Sequence, residues 1–228
     1  MPLIDRDYMR TPQPARRPII VRNYQGGFSL NPVWVIIGIN FLVLIATFIA
    51  GRVYLTSNGV IIGEIYRLNY YMGLIPAELW ERPWTMITNM FAHAGLGHFI
   101  GNMLVLFFFG RFLTMLVGHK RFLWVYFGGG IVGNIIFLLL GDSYSIAVGA
   151  SGAVYAVAGV LVVMMPNLRV YLYFIVPMPL WVVVLIFFVL WSFIPGLNIA
   201  WQAHIGGLLV GLIAGYFFRK GGRYYYYR

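Results

Sequence analysis

The first candidate for chemistry is a single hydroxyl. Ser151 sits in AVGASGAVYAVAG (residues 147–159), with Gly149 two positions before it and Gly152 directly after. The surrounding sequence is apolar enough to lie in a membrane. A second set comes from FAHAGLGHFIGNM, which holds His93, His98 and Asn102. A third is His204 in WQAHIGGLLVGLIAG, followed by Gly206, Gly207, Gly211 and Gly215. Ionisable groups within membrane segments cost several kcal/mol and commonly mark function. His98 and Asn102 are four apart, so on a helix they share a face, and so do Ser151, Tyr155 and Gly159. Each feature also has a bland explanation. A His–Asn pair can hold two helices together, and glycines at four-residue spacing let helices approach closely. His119, beside Lys120 and Arg121, reads as a solvated turn histidine.

Together, these residues allow nucleophilic acyl transfer. A serine hydroxyl is unreactive until a base takes its proton. Neutral His204 can take it and later return it to a leaving amine. An oxyanion would need donors already in place, and His98, the Asn102 amide and the Ser151 backbone N–H can supply them. No carboxylate stands out as a third member, because Asp142 falls in a turn. The reading is therefore a Ser–His dyad. Tyr155, one turn below Ser151, can pack against the His204 ring.

The elements that would position this set follow from composition. The chain has 228 residues, 61% of them hydrophobic and only 10% charged. Soluble domains do not look like this. Six apolar segments, at about 33–50, 98–117, 121–140, 148–166, 178–195 and 201–219, predict an all-α polytopic membrane protein, a six-helix bundle. Residues 1–31 are polar, basic and proline-bearing, and predict a disordered tail. Residues 32–219 form the membrane domain, and 220–228 a short basic and aromatic tail. The 51–97 interval is long, rich in Trp and Tyr, and too polar to span. It predicts a loop lying partly in the membrane interface. There are no cysteines, so disulfides and thiol chemistry are excluded.

Charge sets the orientation. With six spans, thirteen of the sixteen basic residues fall on one side, leaving Arg52, Arg67 and Arg82 opposite. Basic residues mark the cytoplasmic face, so both termini are expected there. The net charge of +10 then reports topology, and no nucleic-acid partner is expected. Segments two, four and six all begin at the outer side. Ser151, His98, Asn102 and His204 consequently fall at one depth on one side.

These motifs resemble the rhomboid family of intramembrane serine proteases. GASG followed by Tyr155, HAGLGHFIGN, and AHIGGLLVG occur in the family's order over about residues 33–218. The resemblance implies Ser151 as nucleophile, His204 as base, and His98 and Asn102 as the oxyanion pair. Gly149 is implied as the first motif glycine and His93 as a structural loop histidine. Gly152, Tyr155, Gly207 and Gly211 are expected to support them. It also implies cleavage of a peptide bond in or near a transmembrane segment of a protein substrate, with water admitted from the outside. Membrane lipids are the other expected partners, and no cofactor or metal is called for. Segment five would move for access, which directs attention to Trp181, Phe187, Phe188 and Trp191. Where many members carry Trp-Arg before the first loop histidine, this chain has Trp84-Thr85, with Arg82 displaced. Two other readings use the same features. One is a non-catalytic rhomboid-like protein that binds or escorts transmembrane clients. The other is a small transporter, which would call for inverted repeats and broken helices; neither is evident.

Overall fold

The computed structural model describes residues 30–57, 60–172, 175–193 and 200–221. The predicted N-terminal tail, apart from Leu30 and Asn31, lies outside these residues. So do the turn near Asn198 and the tyrosine-rich C-terminus.

All six apolar segments contain helix. Helix α1 (Pro32–Ala50) opens on an Asn31 cap whose side chain accepts from Val33 N, with proline in the first turn. The second segment runs through α4 (Leu96–Val105), a π-helical turn (Leu106–Gly110) and α5 (Arg111–Val117). The third is α6 (His119–Leu140), the fourth α7 (Ser151–Met164), the fifth α8 (Leu180–Phe193) and the sixth α9 (Trp201–Gly221). Among the described residues, four helices are long and apolar enough to cross a membrane: Pro32–Ala50, Leu96–Val117, His119–Leu140 and Trp201–Lys220. Helices α7 and α8 have 14 residues each. At ~1.5 Å per residue each is roughly 21 Å long, shorter than a hydrocarbon core of about 30 Å.

Helix α7 is the centre of the bundle. Gly152 through Leu161 are buried except Tyr155, and Val160 and Leu161 are wholly inaccessible. Helices α6 and α9 flank it. Large apolar side chains on α1, α4, α6 and α9 face outward, including Leu42, Ile49, Leu104, Leu139 and Phe217. In water such a surface would be prohibitive, whereas in lipid it is the expected exterior.

The all-α expectation needs correction at two places. Strands β1 (Arg52–Ser57) and β2 (Val60–Tyr66) form an antiparallel hairpin directly after α1, with Arg52 opposite Tyr66. Strands β3 (Arg169–Leu172) and β4 (Val176–Pro179) form another between α7 and α8. Both are rich in β-branched and aromatic residues, which suit a pleated strand. In the first hairpin the same aromatic residues also fit the membrane interface predicted for 51–97.

The rest of the 51–97 interval is ordered into short helices, α2 (Arg67–Met72) and α3 (Thr85–Thr88), with single 3-10 turns at Pro76–Glu78 and Asn89–Phe91. Arg82 organises it. Its guanidinium pairs with Glu78, donates to the Tyr70 carbonyl and lies 4.5 Å over the Tyr70 ring. Thr88 Oγ1 donates to Met72 O at 2.9 Å, and Trp84 Nε1 to Tyr71 O at 3.2 Å. The interval is stitched to the turn preceding α7 by an antiparallel bridge, Leu74 to Ala147, with both N–H···O distances 2.9 Å.

Candidate active site

Ser151 is the first residue of α7, so its backbone N–H lies in the helix's first turn, where N–H groups have no intrahelical partner. The turn before it needs Gly149. That residue has φ of +127°, a conformation side chains rarely adopt. A methyl group built on it would lie 2.6 Å from His98 Cε1 and 2.9 Å from His98 Nε2. The same point is 3.7 Å from Ser151 Oγ. His98 and the Ser151 hydroxyl therefore share one small volume, kept open by the missing side chain.

His204 reaches Ser151 from α9. Its Nε2 is 2.8 Å from Ser151 Oγ, and the ring is buried, 5% exposed. The Tyr155 ring stacks on it, with centroids 4.6 Å apart and planes 27° from parallel. Glycines bring the two helices into backbone contact. A side chain on Gly207 would overlap Gly152 O, and one on Gly211 would overlap Ala156 O. On Gly215 it would come within 3.0 Å of Val160 O. From α7, a methyl on Gly152 would meet Ala203 O at 3.2 Å. This small-residue seam fixes the depth of His204 against Ser151.

The His98 tautomer follows from its surroundings. Ala94 N–H donates to His98 Nδ1 at 3.4 Å. A ring whose Nδ1 accepts carries its proton on Nε2, the nitrogen that faces Gly149. Asn102 is buried and donates from Nδ2 to His98 O at 2.9 Å, one turn back on its own helix. His93 lies behind His98, with ring centroids 5.1 Å apart, and meets Phe99 edge-on at 5.4 Å. Its backbone carbonyl accepts from Asn69 Nδ2 at 2.8 Å. Burial, reinforced by His98, pushes the His93 ring down to about 3, so it stays neutral in ordinary buffers.

Asp142 is turned away from the site. It is exposed, and its carboxylate accepts from Tyr144 N within its own turn. Among the described residues no side chain hydrogen-bonds to His204 Nδ1, and no three metal-ligating side chains come together. On α8, Trp181 is half exposed, while the side chains of Phe187, Phe188 and Trp191 lie outside the described residues.

Two residues at the site were not singled out from sequence. Asn89 and Asn134 line a small cavity of about 20 Å³ together with Gly149 and Ser151. An asparagine in the middle of an apolar span is itself a costly feature. Asn134, within the apolar span His119–Leu140, carries that signal in the sequence.

The fold and the site define a class: an integral membrane protein of packed apolar helices that holds a partly buried serine in hydrogen-bond contact with a buried histidine. The comparisons with known proteins make this specific. The model of the Rhomboid domain matches residues 80–221, and the chain belongs to the rhomboid family. It is 31% identical over 195 residues to "Putative rhomboid protease YdcA" of Bacillus subtilis (strain 168), covering 86% of this chain and 92% of that one. It is also 31% identical over 160 residues to "RHOMBOID-like protein 12, mitochondrial" of Arabidopsis thaliana, 60% of this chain and 47% of the relative. With "Rhomboid protease GluP" of Bacillus subtilis (strain 168) it shares 32% identity over 132 residues, 58% of this chain and 25% of the relative. The chain thus spans nearly all of the first relative, but half or less of the other two.

Proposed function

We propose that this protein is an intramembrane serine endopeptidase that hydrolyses a peptide bond in or near a transmembrane segment of a membrane-protein substrate. The observation that carries the reading is the 2.8 Å contact between Ser151 Oγ and His204 Nε2. It joins the only serine of α7 to the only histidine of α9. Membership of a family with relatives named as proteases supports the same reading.

The steps follow from the groups present. Ser151 Oγ attacks the scissile carbonyl carbon while its proton passes to His204 Nε2. The carbonyl oxygen becomes an oxyanion, met by His98 Nε2–H, the Asn102 amide and the Ser151 N–H. As the tetrahedral centre collapses the C–N bond breaks, and the departing nitrogen takes the proton from His204. The acyl group is left as an ester on Ser151. Water then loses a proton to His204 and attacks the ester, and the second collapse returns that proton to Ser151. Tyr155 keeps the imidazole in plane throughout, and Gly149 keeps room for His98. The active site opens to the outer side, with both termini in the cytoplasm.

The test is labelling of the detergent-solubilised protein with a fluorophosphonate probe, comparing wild type with Ser151→Ala and His204→Ala. Only the wild type should be labelled. A folded but unlabelled wild type would overturn the reading in favour of a non-catalytic client binder.

A further inference from the structure

We infer that Asn89 and Asn134 form a positioning device that holds the nucleophile turn through the backbone of Gly149. This rests on the reading of Ser151 as nucleophile. Asn89 begins the 3-10 turn before α4, and Asn134 lies inside α6. Their carboxamides exchange two hydrogen bonds: Asn89 Nδ2 donates to Asn134 Oδ1 and Asn134 Nδ2 to Asn89 Oδ1, each at 2.9 Å. Asn134 Nδ2 also donates to Met86 O at 2.8 Å. Both side chains are buried, 2% and 4% exposed.

The pair is connected to the chemistry by one bond. The Asn89 carbonyl accepts the Gly149 N–H at 2.8 Å. Gly149 is the residue whose left-handed backbone lies against His98 and leads into Ser151. Two parallel bonds between planar amides fix both the distance and the tilt of the peptide that carries Asn89 O. A single hydrogen bond would leave the tilt free. The helix α6 therefore sets the height of Gly149, and with it the spacing of His98 from the Ser151 hydroxyl. A 1 Å misplacement in such a set can cost about 100-fold in rate. If the pair only tied α6 to the loop, its loss would unfold a fraction of the molecules and leave the remainder reacting normally.

The two roles separate in a labelling time course on the full chain in detergent. With the fluorophosphonate probe, the final amplitude counts competent sites and the rate constant reports reactivity per site. We compare wild type, Asn89→Ala, Asn134→Ala and the double variant. The expected result is a rate constant per labelled site lowered about 10- to 100-fold in each single variant. The double variant should be no slower than the slower single, because two residues acting as one unit are not additive. A reduced amplitude with a wild-type rate constant would overturn the proposal. Asn134→Ser covers the case in which the alanine variants do not fold. It keeps a hydroxyl but cannot complete the paired amide, and a wild-type rate per site there overturns the proposal equally. An unlabelled, folded wild type is a separate result: it removes the nucleophile reading and the positioning role together.

Discussion

His98 is the side chain on which the oxyanion reading of the site is most exposed to test. With Nδ1 accepting from Ala94, its Nε2–H points into the volume beside Ser151. His98→Ala should lower kcat about 100- to 1000-fold, the usual cost of losing one oxyanion donor, with labelling slowed but thermal stability little changed. His204 must be neutral to accept a proton, so activity should fall on the acid side as its ring is protonated and hold steady through mildly alkaline pH. His93 titrates differently. Its folded value of about 3 lies below the ordinary 6.5, so the unfolded chain takes up the proton first. Its contribution to stability is full above about pH 6.5 and drains as pH falls toward 3, by up to ~1.4 kcal/mol per unit. Thermal unfolding between pH 7 and 5 should therefore shift less in His93→Gln than in wild type. At this scale Ser151, His98 and His204 were legible because their types are rare in apolar sequence and the six-span count starts their three segments at one depth on one side. The Asn89–Asn134 pair was not, because neither residue sits in a motif that marks it for chemistry and the two meet only through tertiary packing.

The helices were legible as elements because length and apolarity suffice to call them. Their ends were less so. The fourth segment was expected over 148–166, yet α7 starts at Ser151, because Gly149 adopts a backbone conformation no helix contains. The first hairpin was not legible because aromatic and β-branched residues serve the interface and the strand equally well. The glycine seam yields a paired prediction. Gly207→Ala would place a methyl group against the Gly152 carbonyl, and overpacking of this kind costs about 1–3 kcal/mol. Its melting temperature in detergent should drop clearly, and labelling with it, as His204 is pushed away from Ser151. Gly101, also helical, is exposed, with open space where its side chain would be. Gly101→Ala should melt no lower than wild type. Equal effects at the two positions would show that the seam is not the organising contact.

At the scale of the whole molecule, the natural absence of cysteine makes orientation simple to measure. Asp142 and Lys120 are both exposed and lie at opposite ends of α6. In intact cells a membrane-impermeant maleimide should label Asp142→Cys and spare Lys120→Cys until the membrane is opened. The reverse pattern would invert the topology read from the basic residues. The glycine seam also has a mechanical consequence. Side chains between two rods act as bearings, because they can change rotamer and let the rods slide. Helices α7 and α9 touch through Gly207 and Gly211 against carbonyls of Gly152 and Ala156, with no such layer between them. They behave as a weld, and the serine and histidine ride on one rigid body. On the proposed function, whatever parts to admit a long substrate would part elsewhere, and the Ser151–His204 spacing would not need rebuilding at each turnover.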